Sequence, residues 1–237
     1  MSGDATYVEQ LFDRLHDAAE AAIPDSRREV AESTPGLSRE MRVIPNYGTS
    51  RQRGVGNAVR LEAGVRGGPN PVDRRPIGPM LVDAVAGVTG EEFAPFELDV
   101  LHPARTLVEK LFAVTALAAR VRKGNGLNGR QARHFYNIHE LLGSDTPAVA
   151  WIAAGGSVTE IVRDCERITE AHFPTGAAPV TGSLADADVF TDDVLQETLE
   201  AAYVQTCDDL CLPSAVIPTW ADVRARVASA EALLTVD

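Results

Sequence analysis

Lys110 is one of only two lysines in the chain, and it falls within Pro103-Ala-Arg-Thr-Leu-Val-Glu-Lys-Leu-Phe112, a segment of mostly apolar residues. A cation on an apolar helix needs a counter-charge or a ligand, because desolvating an unpaired ammonium is costly. A second polar segment follows, Arg133-His-Phe-Tyr-Asn-Ile-His-Glu-Leu-Leu142. Residues 101–135 carry 7 basic and 1 acidic side chains, against 11 and 16 in residues 1–100 and 4 and 17 in residues 136–237. The net charge of −12 argues against general nucleic-acid affinity. The local island of Arg105, Lys110, Arg120, Arg122, Lys123, Arg130 and Arg133 is suited to a nucleotide, a nucleic-acid backbone or an acidic partner, and equally to a solvated helix–loop–helix.

The elements that must position these residues are legible from periodicity. Val8, Leu11, Phe12, Leu15, Ala19, Ala22 and Ile23 recur near every 3.6 residues, which predicts a helix over 5–23. Strands are expected over 41–44, 55–65 and 96–101, with a short helix near 77–86. Residues 67–76 are rich in Gly and Pro and read as a rigid loop. Pro103 suits the first turn of a helix reaching about 122, and Lys123-Gly-Asn-Gly-Leu-Asn-Gly129 breaks it. Further helices are expected over 131–142, 157–173, 192–212 and 219–234, with a loop over 173–190. Strands followed by helices predict an α+β fold divided into residues 1–101 and 102–237.

The words P-x-R-T-L-x-E-K-L and R-H-x-Y-D-I-x-x-L, in this order, resemble the C-terminal half of the AbiEii/AbiGii family, nucleotidyltransferase toxins of type IV toxin–antitoxin systems. Arg60-Leu-Glu-Ala-Gly-Val-Arg-Gly-Gly-Pro69, with Arg75-Pro-Ile77, resembles the strand and loop that precede the family's helical part. The likeness covers roughly 40–235 and is densest over 56–77 and 99–142. It implies a partial polymerase-β-like nucleotidyltransferase sheet over 1–101 and a helical C-terminal domain over 102–237. It also implies Mg²⁺ and an NTP as cofactors, a tRNA acceptor end as target and a cognate antitoxin as partner. Lys110 resembles the family lysine that contacts nucleotide phosphate, and Glu62 a third acidic residue near the site; the charge of the island makes Arg105, Arg120, Arg122, Lys123 and Arg133 the expected nucleotide- or RNA-binding wall.

Two departures bear on activity. The family's Asp in the second word is Asn137 here, a neutral amide that cannot act as a general base and ligates Mg²⁺ weakly. The Gly-Ser and Asp-x-Asp motif of such transferases is not found. Gly156-Ser157 with Asp164-Cys-Glu166, and Gly182-Ser183 with Asp186-Ala-Asp188, have the letters without the setting and read as chance matches. These departures predict an N-terminally truncated or inactive member, or a non-catalytic derivative that binds nucleotide, RNA or protein. His134 and His139 lack a third ligand at suitable spacing, so no metal site is predicted, and they read as interface or capping residues. Cys165, Cys207 and Cys211 read as buried free thiols. No run of 18 apolar residues and no secretory leader are seen, which predicts a cytoplasmic protein without a membrane partner.

Overall fold

The computed structural model describes residues 2–23, 25–34, 38–44, 58–64, 68, 70–127, 129–172, 180–211 and 214–237. The chain divides into two compact units, Met1–Gly68 and Pro69–Asp237.

The first unit holds α1 (Ser2–Ala22) and an antiparallel sheet ordered β1 (Arg27–Thr34), β2 (Ser38–Ile44), β3 (Val59–Gly64). Phe12 of α1 is buried with Met41 and Val43 of β2, and Leu15, Ala19, Ile23 and Leu61 pack around them. The other face of the sheet is ionic. Glu40 stands opposite Glu62 and Arg42 opposite Arg60. Arg60 relieves the like-charge pair by contacting Glu40 at 2.7 Å and Glu62 at 3.1 Å. β1 was not expected from the sequence, because Arg27, Arg28, Glu29 and Glu32 hide its alternation, as charged edge strands do.

The second unit opens with β4 (Val72–Ile77), α2 (Met80–Ala84) and β5 (Phe96–Leu101), the two strands forming an antiparallel ribbon. The loop expected over 67–76 is therefore corrected from residue 72 onward. Pro76 is tolerated because a two-stranded ribbon has only edges. Helices follow: α3 (Pro103–Thr115), α4 (Leu117–Arg122), α5 (Gly129–Leu141), α6 (Pro147–Ala153) and α7 (Val158–His172). The short strand β6 (Gly182–Ser183), α8 (Asp188–Thr191), α9 (Asp193–Leu210), α10 (Trp220–Ser229) and β7 (Thr235–Val236) complete the unit. The helix expected over 103–122 is broken at Ala116, and α6 and α8 fall where no helix was expected.

α3 is the central rod. Pro103 fills its first turn, and His102 Nδ1 accepts the Ala104 N–H at 3.1 Å. Ala104, Leu107, Val108, Leu111 and Val114 are fully buried, and α5, α6 and α7 pack around them. Phe135 of α5 meets Trp220 and Phe190 edge-on at 4.9 and 6.0 Å, which fixes the rotation of α5. Gly156 is needed for space, because a Cβ there would fall among the ring carbons of Trp151.

The largest fully buried side chain among the described residues is charged: Arg105, 1% exposed. Its Nε donates to Glu109 Oε1 at 2.7 Å and its Nη1 to the Asn70 carbonyl at 2.8 Å, while Nη1 also lies 2.7 Å from Asp164 Oδ2. One guanidinium thus ties α3 to α7 and to the chain entering β4. Arg105→Ala would leave Glu109 without this partner and Asp164 with Arg167 alone, and is expected to cost about 3 kcal/mol. Urea denaturation followed by circular dichroism measures it.

Candidate functional site

Lys110 of α3 and Arg133 of α5 both act on the charge of His134, where α5 packs on α3. Lys110 is half-buried and Arg133 exposed. Among the described residues neither has an ion-pair partner. His134, next to Arg133, is half-buried, and its Nδ1 is enclosed without a hydrogen-bond partner. Burial, then the charges of Lys110 and Arg133, push the His134 pKa down to about 4. The imidazole is therefore neutral at physiological pH, and two unneutralised cations flank it. Asn137 stands one turn beyond Arg133 on the same face of α5, half-buried. The arrangement suits an anion with several oxygens and a hydrogen-bonding amide close by.

The remaining island residues divide. Arg105 is internal, as described. Arg122 pairs with Asp188 at 2.7 Å and Asp192 at 2.5 Å, and these two hydrogen bonds hold its pKa up while it depresses that of Asp192. Arg120 donates only to the Gly126 carbonyl, at 3.4 Å, and Lys123 is exposed with no carboxylate against it among the described residues. The Arg130 side chain lies outside the described residues. Glu62, on β3 of the first unit, is exposed and bonded to Arg60 at 3.1 Å.

Transfer of a nucleotidyl group ordinarily uses carboxylates holding a divalent cation. No group of three His, Cys, Asp or Glu side chains among the described residues is placed to hold one. Asn137 offers a neutral amide, so the described donor set does not fit Mg²⁺.

These features, an α+β chain with two cations beside a neutral histidine on its helical unit, fit a phosphate-handling protein. The sequence model of the nucleotidyl transferase AbiEii toxin family of type IV toxin–antitoxin systems matches residues 4–225. The chain belongs to that family, which makes a nucleotidyltransferase toxin its class and an antitoxin the partner its class implies. The match begins at residue 4 rather than near 40, so it takes in α1 and the whole of the first unit's sheet. Comparison with curated proteins and with solved structures finds no match. No helix among the described residues is long and apolar enough to cross a membrane.

Sequence reasoning missed two participants. His134 was read as a capping or interface residue, and only its depth beside two cations reveals an enforced neutral state. Asp164 was set aside as a chance letter match, yet it answers Arg105. Arg105 lies over Val108 and Phe112 on α3, which hints at burial and hence at an acid, but nothing local names Asp164 as that acid.

The His134 pKa lies below its ordinary value of 6.5, so the unfolded chain takes up this proton first as pH falls. Stability present at pH 7 is then lost progressively between about pH 6.5 and 4. After discounting for solvent screening of a half-exposed ring, the loss is on the order of 1–2 kcal/mol. The depressed carboxylates Asp164, Asp192 and Asp222 add their losses below pH 3.8, outside this window. Lys110→Met is expected to raise the His134 pKa, read by NMR titration of its ring protons, and His134→Asn to flatten the stability profile above pH 4.

Proposed function

We propose that this chain is a cytoplasmic toxin that grips the triphosphate of an NTP with Lys110 and Arg133 and presents the nucleotide to an RNA, in the first place a tRNA acceptor end. The observation that carries this reading is a pair of cations on adjoining helices, without carboxylate partners among the described residues, beside a histidine kept neutral. Arg120 and Lys123 extend the positive wall toward the RNA backbone, whereas Arg105 is buried and Arg122 is neutralised at the surface by Asp188 and Asp192. Residues 1–101 then correspond to a remnant of the nucleotidyltransferase core, with Glu62 as its candidate acidic group, and residues 102–237 to the helical domain. A cognate antitoxin opposes the toxin.

In the transfer, an RNA hydroxyl oxygen attacks the α-phosphorus in line, its proton passes to solvent water, and the bond to the bridging oxygen of the departing pyrophosphate breaks. Lys110 and Arg133 would stabilise the charge that collects on pyrophosphate. Asn137 can donate an amide N–H to a phosphate oxygen but cannot take the proton of the attacking hydroxyl. That amide favours a second reading, in which the chain binds nucleotide or RNA and transfers little or nothing.

The test measures NTP binding and labelled-NTP incorporation into total tRNA with Mg²⁺. NTP binding is expected to weaken with added salt, by about one log–log slope unit per phosphate contact, and to fall by about tenfold in Lys110→Ala. Labelling by the chain is expected to be weak or absent, and Asn137→Asp alone is not expected to restore it. Salt-insensitive NTP binding that Lys110→Ala leaves unchanged would overturn the phosphate-grip reading. Robust labelling by the chain itself would overturn the second reading.

A further inference from the structure

Cys207 and Cys211 stand one turn apart on the same side of α9, where the helix ends. The Cys211 N–H donates to the Cys207 carbonyl at 2.9 Å and closes the last turn, and the two thiols are hydrogen-bonded to each other. Cys207 is buried and Cys211 half-buried, so the pair is approached from the Cys211 side. A pair of this spacing is unsuited to a disulfide. Cβ atoms one helical turn apart are separated by about 5–6 Å, whereas a disulfide holds them at about 3.5–4.5 Å. One further atom between the sulfurs lengthens the link by a bond and closes the difference without unwinding the turn.

The surroundings narrow what that atom can be. Burial, eased by the Tyr203 hydroxyl and reinforced by Cys211 and Asp208, pushes the Cys207 thiol up to about 11. The negative end of the α9 dipole also opposes a thiolate at this position. Zinc and copper ions bind thiolates, so here they would have to displace firmly held protons. Zinc takes four ligands besides, and no third His, Cys, Asp or Glu among the described residues is placed to join the two thiols. A trivalent arsenical has neither requirement, because it condenses with neutral thiols and two of them suffice.

We propose that Cys207 and Cys211 form a dithiol site for a trivalent arsenical, RAs(OH)₂, held by one arsenic atom that bridges the two sulfurs. Each sulfur forms a bond to arsenic, and each thiol proton leaves as water with the hydroxyl that the sulfur displaces. Arsenic remains trivalent, so no oxidant or reductant takes part, and the neutral adduct places no charge in the buried site. Cys211 reacts first from the more open side, and the second bond then forms within one molecule to a thiol already in contact. The site uses none of the residues of the phosphate grip and is independent of that reading.

The third thiol, Cys165, lies on α7 outside this pair and serves as an internal control. The intact, reduced chain is titrated with phenylarsine oxide, whose hydrate is such a diol, and the adduct is counted by native mass spectrometry. One equivalent is expected to bind, half-saturating at about 1 μM or below, and to be stripped by 2,3-dimercaptopropanol. Cys211→Ser and Cys207→Ser are each expected to weaken binding by about 100-fold or more, since the second, intramolecular bond is lost; should Cys207→Ser unfold, Cys207→Ala takes its place. Cys165→Ser and Lys110→Ala are expected to bind as the unaltered chain does. Far-ultraviolet circular dichroism is expected to be unchanged on loading, because the bridge spans the native turn, and Zn²⁺ at the same concentrations is expected not to bind. The inference is overturned by the absence of an adduct, by equal affinity in Cys211→Ser, by an adduct that forms only in urea or with loss of helix, or by Zn²⁺ binding that matches the arsenical.

Discussion

The second unit depends on one guanidinium. Arg105 occupies a position that periodicity reserves for an apolar residue, and it survives there because Glu109, Asp164 and the Asn70 carbonyl meet it from three directions. Burial alone would lower its pKa, but the hydrogen bonds to Glu109 and Asp164 outweigh that and keep it charged. Asp164 is the mirror case, its burial outweighed by Arg105 and Arg167. A hydrophobic residue at 105 would fill the space without selecting a partner. A charge selects, and so fixes which face α7 turns toward α3.

That fixed frame explains why the other cations can remain unpaired. With Arg105 answered from α7 and Arg122 clamped by Asp188 and Asp192, the acidic helices neutralise part of the island and stop there. Lys110 and Arg133 are left on the seam between α3 and α5. Phe135, wedged against Trp220 and Phe190, prevents α5 from rotating to bring either cation to an acid. Rigidity on the apolar side therefore maintains electrostatic frustration on the polar side.

The long amphipathic elements were legible because their apolar period is strong: α1, α3, α5, α7, α9 and α10 all fall near their expected spans. β1 and β4 were hidden by charge and by Pro, since a narrow ribbon or an edge strand needs little apolar alternation. The break at Ala116 has no sequence marker, as Ala116 has high helix propensity and the interruption is imposed by packing. For the site, residue types and family words singled out Lys110, Arg133 and Asn137, but the division of the island into paired and unpaired cations was out of reach. It depends on Asp164, Asp188 and Asp192, which lie 59 to 70 residues from their arginines and carry no local pattern.

The concentration of acidic side chains outside residues 101–135 has a kinetic consequence. A polyanion approaching from most directions meets repulsion that extends over about one Debye length, roughly 8 Å in physiological salt. Attraction operates only within reach of the few unpaired cations. Diffusional encounters are thereby biased toward one corridor, and an ionic strength that shortens the repulsion also shortens the attraction. The direction from which a polyanion arrives is thus selected before any close contact is made.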